Sequence, residues 1–124
     1  MNDIEQEIID KGLTAPRIGS IDIELNIASE HYFTAADGYM ANPCCDPYGN
    51  FVSTSLPAPP ALELLTFCVL VLNNGFTVTG ESVCASPENF DAEIGRKIAR
   101  ADAANKIRPF MVYELKQRLH ASQN

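Results

Sequence analysis

The residues of this chain with the clearest chemical potential are three cations within five positions: Arg96, Lys97 and Arg100. They follow the segment SPENF in a chain whose formal charge is −7. Glu93 lies three residues before the first cation and four before the second, a spacing at which ion pairs form along a helix. The later cations, Arg100, Lys106 and Arg108, have no obvious local partner apart from Asp102. This cluster is either a solvated helix face or a surface that binds an anion, and both interpretations stay open.

Charge is distributed unevenly along the chain. Residues 1–88 hold twelve acids against Lys11 and Arg17, whereas residues 89–124 hold four acids and seven bases. The overall acidity argues against DNA or RNA as a partner, because duplex binding needs a basic surface. The asymmetry favours either self-complementary assembly or a local anion site.

Other reactive side chains do not form a recognisable catalytic or metal motif. His31 and His120 are far apart, and no GxSxG, P-loop or GxGxxG pattern occurs. Cys84 lies where a helix start could activate a thiol, but no base is identifiable, so we interpret it as structural. The remaining cysteines lack zinc-ligand spacing: Cys44, Cys45 and Cys68. The sequence therefore predicts no enzyme activity, metal or cofactor.

The apolar segments are too short or too charged to direct the chain to a membrane. The first residues, MNDIEQEIIDKG, are acidic, and the longest apolar run, FCVLVL, cannot cross a bilayer. We therefore expect one cytosolic domain spanning residues 1–124, with reduced thiols.

Hydrophobic spacing predicts the first elements that position these residues. A short helix should end at Gly12, and Ser20 should cap a second helix over IDIELNIASEHYF. Residues 41–60 carry five of the eight prolines, with Gly, Asn and Asp between them, which is typical of a surface loop.

A β-hairpin over residues 64–83 is the strongest structural signal. Two strand-like runs flank Asn73-Asn74-Gly75, residues that tolerate positive φ in tight turns. The first run is apolar on both faces, so it should lie centrally with both faces covered. A two-residue turn at Asn74-Gly75 would place Thr77, Thr79 and Glu81 beside Leu72, Leu70 and Cys68.

Two helices should follow, from about Ser86 to Lys106 and from about Pro109 to Leu119, since Pro109 must kink or break the chain between them. A stripe of small residues on the first would let another backbone approach closely: Gly95, Ala99 and Ala103. The fold class is therefore α+β, with a small antiparallel sheet and packed helices. One hairpin is not a stable sheet, so further strands should come from Tyr32–Ala35, from the loop or from a second subunit, and we expect a homo-oligomer.

The segment from Leu64 to Leu119 resembles the phage small-protein family known by its gene-forty-nine and gene-sixty-six founders. The resemblance lies in the pattern NGF-x-V-x-G-x-S-x-C-x-x-P-x-N-F and in IASEHYFTAADG upstream. The proline-rich stretch lies outside it. The resemblance implies a phage origin and no established enzyme activity. It also implies an α+β dimer or larger assembly with pockets at subunit interfaces.

One branch of that family comprises the type-one Thoeris anti-defence proteins, which are sponges. They bind cyclic ADP-ribose-like signals of bacterial TIR proteins, and some bind cyclic oligonucleotides of CBASS-type systems, without cleaving them. The resemblance therefore implies a cyclic nucleotide partner in the cytoplasm of the infected host. The alternative is an accessory protein that blocks a host or defence protein. A hydrolase would need a general base that the sequence does not supply.

Such a ligand needs cations for its phosphates and aromatic rings for its bases. On this basis Asn89 can read a base or ribose edge, and Phe76 or Phe90 can stack, although Phe90 also fits a core position. The phosphate-binding candidates are Arg96, Arg100, Lys106 and Arg108. Arg108 departs from the family, in which an aromatic residue is expected there, so ligand preference can differ in this chain.

Overall fold

A computed structural model describes residues 3–41, 44–45, 48, 51–52 and 58–123. Its α-helices are α1 Asp3–Asp10, α2 Ser20–Leu25, α3 Ala35–Ala41 and α4 Ala92–Ser122, with 3₁₀ turns at Pro60–Leu64 and Pro87–Asn89. Its strands are β1 Ile27–Thr34, β2 Cys44–Cys45, β3 Phe51–Val52, β4 Leu65–Leu72 and β5 Thr77–Val83. The antiparallel sheet β1-β4-β5 with its packed helices confirms the α+β class. No helix in the described ranges is both long and apolar enough to cross a membrane.

The third strand of the sheet includes the stretch near Tyr32 that was predicted as a further strand, but it begins at Ile27, inside the segment predicted to be helical. Only Ser20–Leu25 forms a helix, and the chain then becomes β1, which pairs with β4. The hairpin turn determines where α2 ends and β1 begins. Asn73 donates its side-chain amide to Leu25 O (2.8 Å) and its backbone N–H to Asn26 O (2.9 Å). Pairing with β4 therefore overrides a helical spacing that persists for little more than one turn.

The hairpin turn contains three residues, so the predicted register was wrong by one position. Leu72 N–H donates to Phe76 O (2.8 Å), and Gly75 has a φ of +88°, as expected where a three-residue turn ends in the left-handed region. Thr79 consequently lies opposite Val69 rather than beside Leu70. A slip of one residue exchanges the two faces of a strand. The face of β5 toward α4 is therefore Val78, Gly80 and Ser82, which are buried.

Helix α4 begins later than predicted and continues farther. Asp91 caps it by accepting the Ile94 N–H at 3.0 Å, whereas Ser86 precedes a separate 3₁₀ turn. Pro109 lies inside the helix, so the predicted break is absent; a bend there stays a prediction. The helix continues although proline removes one backbone hydrogen bond. Met111, on the far side of the proline, packs against the core.

The predicted stripe of small residues is the contact between α4 and the sheet. Gly95, Ala99 and Ala103 are buried, and Gly80 of β5 faces the last two. A Cβ atom on Gly80 would lie 2.2 Å from the Ala99 carbonyl oxygen and 2.3 Å from the Ala103 nitrogen. The backbone of the helix therefore touches the backbone of the strand, which only glycine permits.

The core lies between α4 and the sheet. Its buried members are Ile23, Cys68, Leu70, Leu72, Val78, Ala99, Ala103 and Ile107. The opposite face of β4 is only half-buried, and Phe33 of β1 next to it is 41% exposed. The central position of β4 was thus predicted correctly, whereas its second face is not fully covered in the described ranges.

The predicted loop at residues 41–60 falls largely outside the described residues. Its described backbone includes a short antiparallel pair, β2 with β3. The side chains of Cys44 and Cys45 lie outside the description. At the N-terminus, Gly12 ends the first helical segment with a φ of +69°, as predicted.

We predict that Gly80→Ala lowers the free energy of unfolding by at least about 2 kcal/mol, because the methyl group overpacks a backbone contact. Urea unfolding followed by circular dichroism measures the change. Gly38→Ala is the matched control, since a Cβ there meets nothing within 4 Å. A Gly80→Ala variant as stable as the control would contradict this account of the contact.

Candidate functional site

A cleft surrounds Phe90, the residue that joins the 3₁₀ turn Pro87–Asn89 to the capping residue of α4. Its larger part, about 370 Å³, extends toward Pro87 and Glu63, and its smaller part, about 100 Å³, extends toward Arg96. Thr34, Asp37 and Phe90 line both parts. We call this space the Phe90 cleft. Its smaller part is lined by Tyr32, Phe33, Thr34, Asp37, Thr66, Phe90, Ala92 and Arg96.

Arg96 supplies the positive charge of the Phe90 cleft. Glu93 was predicted to pair with both Arg96 and Lys97. Only the pair with Lys97 forms, in which Nζ lies 3.3 Å from Glu93 Oε1. Arg96 itself has no carboxylate within ion-pair distance among the described residues. Its guanidinium is exposed on the first turns of α4 and is available to a ligand from solution.

The opposite wall of the cleft is held in place by a capping box. Thr34 N–H donates to Asp37 Oδ2 at 2.9 Å, and Asp37 N–H donates to Thr34 Oγ1 at 3.1 Å. This reciprocal pair fixes the junction between β1 and α3. Asp37 therefore has a structural role at the cleft, and its carboxylate is already hydrogen-bonded.

Unlike Arg96, Arg100 is not available to a ligand, because its guanidinium already has partners within the chain. Its Nε donates to Glu30 Oε2 at 2.7 Å, and its two terminal nitrogens donate to the carboxylate of Glu24 at 3.0 and 2.8 Å. This forked geometry holds the pKa of both glutamates below the ordinary value of 4.5. Tyr32 extends the network by donating its hydroxyl to Glu30, and burial together with its neighbours raises the pKa of Tyr32 to about 12.

Lys106 and Arg108 also have partners that the sequence did not reveal. Lys106 Nζ donates to Thr79 O at 2.8 Å and lies 3.6 Å from Asp102 Oδ2. Asp102 in turn accepts the Glu81 N–H at 3.0 Å, the main cause of its lowered pKa. Arg108 donates to the carbonyl oxygen of Ile18. Asp102, the one local partner that the sequence offered, does pair with Lys106, and the other partners of these cations are distant in the sequence.

The predicted ligand-binding residues fall into two groups at opposite ends of the sheet. Phe90 and Arg96 line the Phe90 cleft, whereas Asn89, exposed at the end of the 3₁₀ turn just before Phe90, is not among its lining residues. Phe76 lies at the hairpin turn, where its ring meets Phe110 edge-on at 5.3 Å. The twelve helical residues from Arg96 to Arg108 span about 18 Å, so one small ligand cannot contact both groups in a single chain.

Three cleft residues were not among the predicted ligand-binding residues: Tyr32, Phe33 and Asp37. The sequence did indicate a strand at Tyr32–Ala35, but it gave no sign that the end of this strand lies beside Phe90. Cys84, interpreted as structural, donates its thiol to Ser86 O at 3.1 Å. Burial raises the pKa of the Cys68 thiol in the core. No three potential metal ligands converge within the described part of the chain.

Comparison with protein families gives a match over residues 18–119, which include the sheet, α4 up to Leu119 and the Phe90 cleft. The family is described as "Phage protein (N4 Gp49/phage Sf6 gene 66) family". The searches of curated proteins and of solved structures found no match.

We predict that Arg100→Gln lowers the free energy of unfolding at pH 7 by about 1 kcal/mol, because two carboxylates lose a forked partner that is only partly exposed. The lowered pKa values of Glu24 and Glu30 give the sign of the pH dependence. This stability is present above pH 4.5, the ordinary carboxyl value, and is lost as the pH falls through the lower folded values.

The difference between wild type and variant in urea unfolding should therefore shrink from pH 7 to about pH 3. Lys97→Gln is the control, since its exposed pair with Glu93 contributes only about 0.3 kcal/mol. A difference that stays constant over this pH range would show that the ion pairs of Arg100 with Glu24 and Glu30 do not supply this stability.

Proposed function

The chain belongs to the N4 Gp49/phage Sf6 gene 66 family of phage proteins, and from this premise we propose that it is an anti-defence sponge. It binds cyclic nucleotide immune signals, either cyclic ADP-ribose isomers or cyclic oligonucleotides, and sequesters them without cleavage. Binding takes place in the cytoplasm of the infected cell, and sequestration keeps the signal from its effector. The observation that supports this proposal most directly is the unpaired Arg96 beside Phe90.

The Phe90 cleft has the chemistry that such a ligand requires. Arg96 binds a phosphate with its planar guanidinium, which matches two phosphate oxygens better than an ammonium does. The half-buried Phe90 ring gives a base a surface on which to stack, and Asn89 beside it can hydrogen-bond a base or ribose edge. The larger part of the cleft, about 370 Å³, falls within the range of small-molecule sites.

The remaining predicted residues have other roles in this proposal. Arg100 and Lys106 stabilise the fold and the edge of β5, respectively, so they do not contact the ligand. Phe76 and Arg108 lie at the hairpin end, where a second phosphate or a second ligand can bind in a homo-oligomer, as the family implies. The protein is therefore proposed to act as an oligomer, with the Phe90 cleft as its first contact with the signal.

The proposal is sequestration rather than hydrolysis, and the lining of the cleft supports it. No histidine lines the cleft; of its two carboxylates, Asp37 already accepts a backbone hydrogen bond and Glu63 is exposed at the end away from Arg96. His31, on β1, has its imidazole within 3.0 Å of the Ser29 hydroxyl and does not line the cleft. A general base in reach of a phosphodiester is therefore not part of this proposal.

We predict that calorimetry with a panel of cyclic ADP-ribose isomers and cyclic di- and trinucleotides detects binding of at least one member. Arg96→Glu should weaken that binding about 30- to 100-fold, because a charged hydrogen bond contributes about 2–3 kcal/mol. Lys97→Glu is the matched control: it reverses the adjacent charge, but Lys97 does not line the cleft. Its affinity should stay within about threefold of the wild type.

Three outcomes of this titration would count against the proposal. No binding by any compound would exclude the sponge and favour a protein-blocking factor. Equal losses in both variants would show a diffuse electrostatic effect rather than a site. A loss in Arg108→Glu with full affinity in Arg96→Glu would move the site to the hairpin end.

We further predict that the bound signal is recovered intact. After the complex is denatured by heat, mass spectrometry should find the ligand with unchanged mass and amount, because a sponge holds its ligand without reacting with it. Prolonged incubation with excess ligand tests the same point. Conversion of more ligand than there are binding sites would identify a hydrolase instead.

A further inference from the structure

The two parts of the Phe90 cleft differ in charge. Arg96 lines only the smaller part and Glu63 lines only the larger part, whereas Asp37 lies in the wall that both parts share. No lysine, arginine or histidine is among the described residues that line the larger part. A phosphate in the cleft is therefore attracted at the Arg96 end only, because at the other end it meets carboxylates.

The smaller part has room for one phosphate group. Its volume of about 100 Å³ equals the share of about three water molecules in the liquid, at about 30 Å³ each. Thr34 adds a donor to Arg96 there: Thr34 Oγ1 accepts the Asp37 N–H, and its own hydroxyl proton is left to donate. A second phosphate joined to the first would have to extend toward the carboxylates of the larger part.

Glu63 is the available hydrogen-bond acceptor of the larger part. It belongs to the 3₁₀ turn Pro60–Leu64, its side chain is exposed, and it forms no hydrogen bond or ion pair with another described residue. Asp37, by contrast, already accepts the Thr34 N–H with one oxygen. An ionised carboxylate accepts hydrogen bonds and cannot donate them. The part of the ligand beside Phe90 should therefore present N–H donors to Glu63.

Guanine meets this requirement better than the other common bases. Its Watson–Crick edge carries two neighbouring donors, N1–H and the N2 amino group, which match the two oxygens of one carboxylate. Adenine has one donor on that edge, its N6 amino group, and its N1 lone pair would face the second carboxylate oxygen. The Phe90 ring stacks on any base, so the choice between bases depends on Glu63.

We propose that the Phe90 cleft holds one guanosine phosphate unit of its ligand in a fixed direction. The phosphate lies at Arg96, the guanine ring lies on Phe90, and the donor edge of the ring binds Glu63. This inference rests on the proposed function and narrows its ligands to guanine-containing cyclic oligonucleotides, whose remaining units lie outside the cleft. Glu63 is thus a specificity-determining residue, whereas Arg96 contributes equally to the binding of every nucleotide.

The test is calorimetry of the full chain with three mononucleotides that differ only in their base: GMP, IMP and AMP. GMP should bind at least about tenfold more tightly than AMP, a difference that corresponds to one hydrogen bond to a charged acceptor. IMP keeps N1–H but lacks the N2 amino group, so its affinity should lie between the two. Cyclic di-GMP and cyclic di-AMP give the same comparison with ligands of the proposed class.

Glu63→Gln provides the decisive measurement, because it replaces one acceptor oxygen by an amide donor of the same size. The glutamine amide matches adenine, since its oxygen accepts from N6 and its nitrogen donates to N1. The variant should lose about tenfold in affinity for GMP and bind AMP at least as tightly as GMP.

Glu93→Gln is the matched control for Glu63→Gln. It removes the same charge from a residue that does not line the cleft, so the preference for GMP should persist. Arg96→Glu should weaken the binding of GMP and of AMP by the same factor, because both carry the same phosphate. Thermal unfolding without nucleotide establishes that every variant folds.

Three results would overturn the guanine assignment: no binding of GMP, equal affinities of the wild type for GMP and AMP, or a GMP preference that survives Glu63→Gln. Equal affinities that both fall in Glu63→Gln would place Glu63 on the ribose hydroxyls, which the three mononucleotides share. The assignment and the sponge fail separately. Binding of cyclic nucleotides without a preference for guanine would refute only the assignment, whereas a GMP preference without binding of any cyclic nucleotide would refute only the sponge.

Discussion

The fold depends on the contact of two backbones at Gly80. Helix α4 lies so close to β5 that its Ala99 carbonyl occupies the space a side chain would need. This proximity explains why the helix presents glycine and alanine, rather than leucine, to the sheet at its point of closest approach. It also brings Asp102 and Lys106 within hydrogen-bond distance of the β5 backbone. Two polar groups on the outer edge of β5, the Glu81 N–H and the Thr79 carbonyl, thereby have partners, which opposes pairing with another strand at that point.

The same contact decides which cations remain available. A helix held at this distance places Arg100 over the junction of α2 and β1, where Glu24 and Glu30 neutralise it. It places Lys106 at the strand edge and Arg108 beside the N-terminal segment. Arg96, one turn nearer the start of α4, has no carboxylate partner in the described chain. Most cations on this helix therefore pair with acids or carbonyl groups of the same chain.

Sequence reasoning succeeded where a local pattern has a single structural solution. Two apolar runs around Asn73–Gly75 determine a hairpin, and the small residues at Gly95, Ala99 and Ala103 determine the packed face of the helix. It failed where distant partners decide. Ile21 and Leu25 have helical spacing, but Asn73 lies 48 positions from Leu25 and fixes the point at which helix gives way to strand. The turn length, three rather than two residues, depends on which residues of β4 face α4, and local turn chemistry does not reveal this.

The candidate site could likewise be predicted where its residues are neighbours in the sequence, and not where they are distant. Phe90 and Arg96 are close in the sequence, on either side of the start of α4, so local structure brings them together. Their partners across the cleft come from β1 and α3, which are far away in the chain. The internal pairing of Arg100 could not be inferred, because Glu24 and Glu30 are about seventy positions before it. Since most of the basic side chains pair with groups of the same molecule, net charge alone cannot indicate what the protein binds. Among the described residues, the placement of Arg96, an arginine without a carboxylate partner, beside an aromatic ring is the more informative feature, because both groups are needed to hold a phosphate and a base at once.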